Sequence, residues 1–112
     1  MELDGKLVGY GMASAIYPTH RSEATAFVRL LADGTTIVQS AASDMGPGTY
    51  TATTQVAAET LGLPVERVRL ELGDTDFPMA PVHGGSITMA SVGNAVRAAS
   101  TALATRLFAL AL

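Results

Sequence analysis

Two glycine-rich turns constrain this chain more than any other feature: Asp44-Met45-Gly46-Pro47-Gly48-Thr49 and His83-Gly84-Gly85-Ser86. Each lies between a β-favouring region and a run of apolar residues spaced by three and four, the repeat of a helix face. A chain that changes period in this way belongs to neither the all-β nor the all-α class.

The segments around the turns fill in an α+β fold. Leu7 to Tyr17 alternates, with Leu7, Gly9, Gly11, Ala13 and Ala15 on one face and Val8, Tyr10, Met12 and Ile16 on the other, which predicts a strand. Pro18 to Glu23 reads as a loop. Ala24 to Leu31 and Thr35 to Ala42 are two further β runs, and Asp33-Gly34 between them is a hairpin signal, since both residues tolerate positive φ. Thr49 to Leu61 predicts a helix on the spacing of Tyr50, Thr53, Thr54, Ala57, Thr60 and Leu61. Gly62 suits its left-handed cap and Pro64 stops its continuation.

Val65 to Leu72 sets Val68, Leu70 and Leu72 against Arg67, Arg69 and Glu71, a half-buried strand. Gly73 to Gly85 carries no regular signal, and loops of that length in small domains serve function or are disordered. From Ser86 as N-cap, Met89, Val92, Val96, Ala99, Leu103, Leu107 and Leu110 predict a long amphipathic helix. The expected order over residues 1–112 is β-β-β-α-β-α in one domain, an antiparallel-rich sheet with two helices packed on it. The last helix runs into Phe108-Ala109-Leu110-Ala111-Leu112 without a capping glycine, a basic last turn or a polar tail. That ending predicts a fragment of a longer chain, which self-associates in isolation, most simply as a dimer.

Composition removes several functions. Seven Lys and Arg against ten Asp and Glu give a net charge of -3 with no basic cluster, so nucleic acid is not an expected partner. There is no cysteine, which excludes disulfides and iron–sulfur ligation within the chain. Asn94, Arg97 and Arg106 interrupt the apolar stretch from Ser86 to Leu112, so a buried or partner-covered helix is expected there and not a membrane span.

Acid–base candidates are few. His20 and His83 have no second ligand at metal spacing, and Asp44, Asp74 and Asp76 lie where carboxylates normally stabilise turns. Gln55 reads as an exposed helix position. Glycines that admit a ligand to the backbone, followed by unpaired N–H groups of a helix start, describe a site for phosphate or the polar edge of a heterocycle. Thr49, Ser86 and Thr88 can add hydroxyl bonds. Neither turn matches a dinucleotide or P-loop motif. The residues therefore speak for binding and not catalysis.

The blocks Asp44-Met45-Gly46-Pro47-Gly48-Thr49-Tyr50-Thr51, Gln55-Val56-Ala57-Ala58-Glu59, Leu61-Gly62, Gly73-Asp74-Thr75, Gly84-Gly85-Ser86 and Gly93-Asn94-Ala95-Val96 together resemble the molybdenum hydroxylases of the xanthine dehydrogenase and aldehyde oxidoreductase type. Their order resembles the second molybdopterin-binding region of that family's large subunit. The resemblance implies cofactor contacts at Gly46, Pro47 and Gly48, and at Gly84, Gly85, Ser86, Ile87 and Thr88, with no side-chain metal ligand. Pro47 stands where the family often has glutamine, so recognition there is implied through backbone. The cofactor implied for the full-length protein is molybdopterin, with or without a cytosine nucleotide, and none is expected to stay on the fragment. Implied partners are the rest of the large subunit and iron–sulfur and flavin subunits or domains. The family's catalytic glutamate lies in a Gly-Glu pair that this sequence lacks, so the fragment is expected to be inactive in a parent that hydroxylates aldehydes or N-heterocycles such as xanthine. Two other readings satisfy the residues: a stand-alone module for a small anion, and an interaction domain docking through its C-terminal helix.

Overall fold

The structure, a computed structural model, describes residues 2–112. A two-residue ladder of β1 (Glu2–Leu3) against β2 (Lys6–Leu7) precedes β3 (Phe27–Leu30), β4 (Thr36–Ser40), α1 (Thr49–Leu61), β5 (Val68–Leu72) and α2 (Asn94–Ala111). A 3-10 turn at Val65–Arg67 leads into β5, and a π-helical turn at Met89–Gly93 leads into α2.

The hairpin forms at Asp33-Gly34 as the sequence predicts, pairing β3 antiparallel to β4 with Val28 opposite Val38. Gly34 takes φ 82°, and the Asp33 carboxylate accepts the Thr35 N–H at 2.8 Å. That bond from the Thr35 backbone is the main cause holding the Asp33 carboxyl below its usual range. The charged form is thus favoured by folding, so its contribution to the turn is complete above the ordinary aspartate range and is lost as pH falls through the lowered midpoint. An NMR titration should place the Asp33 midpoint below the ordinary aspartate range, and a midpoint within or above that range would refute the turn bond.

The sheet and two helices give the expected α+β class, with the three-stranded sheet mixed and not purely antiparallel. β5 pairs parallel to β4, with Val38 opposite Leu70. The physical reason is the connection: parallel neighbours need a crossover long enough to return to the starting edge, and α1 is that crossover. Gln39 Nε2 donates to Glu71 across this pair at 2.6 Å, and Arg69 reaches the same carboxylate.

β4 is central, and Thr36, Ile37, Val38 and Ser40 along it are buried. Val38 joins Ala42, Ala57, Ala58, Val68, Val92 and Val96 in the core. Its members are alanine and valine, so α1 and α2 approach each other closely. Gly62 closes α1 in the left-handed conformation, its N–H reaching the Glu59 carbonyl, as the sequence predicts.

The expected strand over Leu7 to Tyr17 does not form. Only Leu7 belongs to β2, and residues 8–26 carry no strand. Leu7, Tyr10, Met12 and Ile16 are between 83 and 98% exposed. Alternation makes a strand only when a ladder partner is at hand, and no described residue pairs with this segment. The far end of the arm does dock: Ser22 N–H donates to Ser91 Oγ, and Thr25 N–H to the Met79 carbonyl. The other end of the molecule projects as well. Burial along α2 stops at Ser100, and Phe108 and Leu110 are 73 and 84% exposed. With both projections the longest extent is 69 Å and the radius of gyration 19.2 Å, against about 13 Å for a compact domain of this length. Among the described residues, no helix is long and apolar enough to cross a membrane.

Candidate functional site

Because β4 and β5 run parallel, both chains leave the sheet at the same edge. The first glycine turn follows β4, and the second ends the long connection that follows β5. The two turns therefore meet. Between them lies a cleft of about 520 Å³, lined by Met45, Pro47, Thr49, His83, Gly84, Gly85, Ser86, Thr88 and Met89.

The first turn is shaped by positive φ at Gly46 (108°) and Gly48 (89°), conformations that side chains disfavour. Asp44 holds it, accepting the Gly46 N–H at 2.7 Å and the Tyr50 N–H at 3.4 Å. The carboxylate thus supplies α1 with the cap that its own N-cap, Gly48, cannot. Asp74 performs a similar turn role by accepting the Asp76 N–H. Both match the ordinary expectation for loop aspartates.

The second turn is tighter. Gly85 and Ser86 sit consecutively at φ 55° and 57°, and the Ile87 N–H bonds back to the Gly84 carbonyl. A left-handed Ser86 does not have the extended backbone of an N-cap, and helical geometry begins at Ile87. The expected side-chain cap at Ser86 is therefore absent, and its hydroxyl is left at the exposed rim. Tyr17 of the arm lies beside this turn: a Cβ added at Gly85 would meet its hydroxyl at 3.5 Å.

The cleft gathers five of the eight residues predicted from sequence: Pro47, Gly84, Gly85, Ser86 and Thr88. Gly46, Gly48 and Ile87 shape the turns without lining it. Met89 was not legible as a lining residue, because a methionine at helical spacing looks like core, and Met45, inside the first turn, has no polar atom to mark it. Met89 opens the π-helical turn, where one extra residue per turn breaks the helical spacing. Its Sδ receives the Thr53 hydroxyl at 3.4 Å, and Asn94 Nδ2 donates to the Ala90 carbonyl at 2.6 Å within the irregular turn.

The threonines divide into two groups. Thr54, Thr60, Thr101 and Thr105 donate to the carbonyl four residues back. Thr49 and Thr88 stand in first helical turns, where no such carbonyl lies behind them. Their hydroxyls are buried without a partner, and both line the cleft. Thr36 and Ser100 share that condition elsewhere in the fold. Gln55 is exposed on α1, as expected. His20 packs edge-on to Tyr17.

Among the described residues, no group of three or more His, Cys, Asp or Glu could hold a metal ion. The cleft offers apolar walls from Met45, Pro47 and Met89, the exposed Ser86 and a histidine, and the Thr49 and Thr88 hydroxyls lie buried and unpartnered behind its lining. Apolar walls with a few fixed polar atoms suit a planar organic group that carries hydrogen-bonding edges. These residues fit the organic part of a pterin cofactor through hydrogen bonds and packing.

Fold and cleft together define an α+β binding domain whose site is built from two helix-start turns. The chain belongs to the molybdopterin cofactor-binding domain family, whose model matches residues 2–112. It is 41% identical over 83 residues to the aldehyde oxidoreductase molybdenum-binding subunit PaoC of Escherichia coli (strain K12), covering 73% of this chain and 11% of that subunit. It is 35% identical over 101 residues to aldehyde oxidase 1 of Macaca fascicularis, covering 89% of this chain and 7% of that protein. The Cu,Mo-CO dehydrogenase crystal structure superposes with a TM-score of 0.71 at 26% identity, over 75% of this chain and 11% of that one. The chain thus spans roughly a tenth of the length of these relatives.

Proposed function

We propose that the cleft between the two glycine turns is one wall of a molybdopterin site, formed by part of the second molybdopterin-binding region of a larger subunit. The observation that carries this reading is that two residues lining one cleft, Thr49 and Thr88, keep hydroxyls that are buried behind its surface without a partner. Hydroxyls of that kind persist at a cost when unbonded, and a ligand with polar edges relieves it. Backbone at Gly84 and Gly85 and the hydroxyls of Ser86 and Thr88 hold one side of the group. Pro47 and Thr49 hold the other, with Gly46, Gly48 and Ile87 setting the backbone. When bound, the cofactor supplies the two-electron redox chemistry, and this chain orients it and shields it from water.

The parent is an oxidoreductase that hydroxylates aldehydes or N-heterocycles, as the names of its relatives suggest. Its pterin carries a cytosine nucleotide in our reading. The rest of the large subunit covers the arm and the projecting end of α2, whose exposed apolar residues suit a covered surface. Iron–sulfur and flavin subunits or domains complete the electron path.

The test is fluorescence titration of the folded chain with pterin-6-carboxylate. We expect saturable binding, weakened about tenfold or more by Gly85→Val, because a β-branched residue is strained at φ 55°. A cooperatively folded chain that shows no saturable binding would end this reading.

A further inference from the structure

One side chain in the cleft ties its two walls together. The Ser43 carbonyl lies 2.6 Å from His83 Nδ1, across 40 residues of sequence. Ser43 immediately precedes the first glycine turn and His83 opens the second. A carbonyl can only accept, so Nδ1 carries the proton in this bond. With the proton at Nδ1, the neutral form of the ring has its lone pair at Nε2. No described residue bonds Nε2, and His83 is the only titratable side chain among the lining residues. The remaining side-chain donors and acceptors of the lining are hydroxyls and thioethers, so no other neutral nitrogen acceptor is available there.

We propose that His83 is both a clasp and a ligand contact: Nδ1–H fixes the two turns through Ser43, and Nε2 accepts an N–H from a planar heterocycle lying against Met45, Pro47 and Met89. This rests on the reading that the cleft takes a pterin-class ligand, and it adds what that edge must offer. The polar edge facing His83 is an N–H donor edge, such as a pyrimidine-type amide or amine. Recognition here is neither anionic nor metal-directed.

Two substitutions separate the two roles. His83→Asn places an amide donor where Nδ1 stood and keeps the clasp while removing Nε2. His83→Ala removes both. Pterin-6-carboxylate is the probe, with inorganic phosphate as the anionic control. With wild-type chain, long-range ¹⁵N–¹H correlation should show the Nδ1–H tautomer of His83, and saturation with the probe should move the Nε2 shift toward the hydrogen-bonded range. His83→Asn should unfold at the wild-type denaturant concentration yet bind the probe roughly three- to tenfold more weakly, the effect of one hydrogen bond. His83→Ala should lose both stability and binding. Phosphate should leave the Nε2 shift where it was.

An Nε2–H tautomer, an Nε2 shift unmoved at saturation, or His83→Asn binding as wild type would each overturn this role while leaving the pterin reading standing. Tightest response to phosphate would overturn the donor-edge assignment. Absence of any saturable pterin binding to the wild-type chain would remove the parent reading and this inference with it. The tautomer and shift measurements need no variant, so a misfolded substitution cannot shelter the proposal.

Discussion

Thr49→Val and Thr88→Val should each make the ligand-free chain more stable and a poorer binder. Both hydroxyls are buried and unpartnered. Leaving a buried hydroxyl unbonded costs about 1–3 kcal/mol, and valine fills the same volume without it. Chemical denaturation should therefore show a gain of about 1–2 kcal/mol for either variant. Affinity for pterin-6-carboxylate should fall about tenfold, as expected for a lost hydrogen bond to a desolvated ligand edge. Thr36→Val is the internal control. Its hydroxyl is equally orphaned but belongs to β4 and lies outside the cleft, so stability should rise with binding unchanged. Equal loss of affinity in the Thr36 variant would mean that the cleft hydroxyls act through stability and not through contact.

The second large effect concerns the sheet. Val38 is wholly buried at the centre of β4, flanked in register by Val28 and Leu70. Val38→Asp would place a carboxylate among Ala57, Val92 and Val96, in a core that holds no basic side chain. Burying an unpaired charge costs several kcal/mol, and domains of this size have only about 5–15 kcal/mol of stability in total. The variant should show no cooperative unfolding transition by circular dichroism. Val82→Asp is the matching substitution on the surface, since Val82 is 80% exposed. It should change stability by less than about 0.5 kcal/mol. A folded Val38→Asp protein would mean that β4 is not the centre of the core.

These outcomes bear on how much of the molecule was legible from residues alone. Asp33-Gly34 and the Gly62 cap with Pro64 were legible because their information is local: each residue's own backbone preference decides the turn. The helix over Thr49–Leu61 followed from the same logic and forms over those residues. The direction of β5 depended on the connection, not on the strand, and alternation in Val68–Leu72 is the same for either direction. The arm failed for a related reason. Its period-two pattern describes two faces, but a ladder needs a second strand, which no local signal can supply.

The site divides the same way. Gly46 and Gly48 announced the first turn, and Gly84-Gly85 the second, yet nothing local said that the turns would face each other. That came from the parallel pairing of β4 with β5. The His83 bond across the cleft was not legible because its partner, Ser43, is distant in sequence. Thr49 and Thr88 could be suspected as hydroxyl donors, but their lack of a partner is a property of packing. Family membership is shown by the match over residues 2–112, and it agrees with the resemblance drawn from the residue blocks.

The π-helical turn at Met89–Gly93 has a consequence for how such a domain tolerates changes in length. A turn closed between residues five apart holds one residue more than its α-helical neighbour. Deleting one residue there restores the ordinary repeat, and everything downstream keeps its angular phase, so Val96 and Ser100 still face the sheet. A deletion one turn later would instead rotate that face by about 100°. Met89–Gly93 is therefore the place where an ancestral gain or loss of one residue can remodel the wall at Met89 while the anchoring half of α2 stays in register.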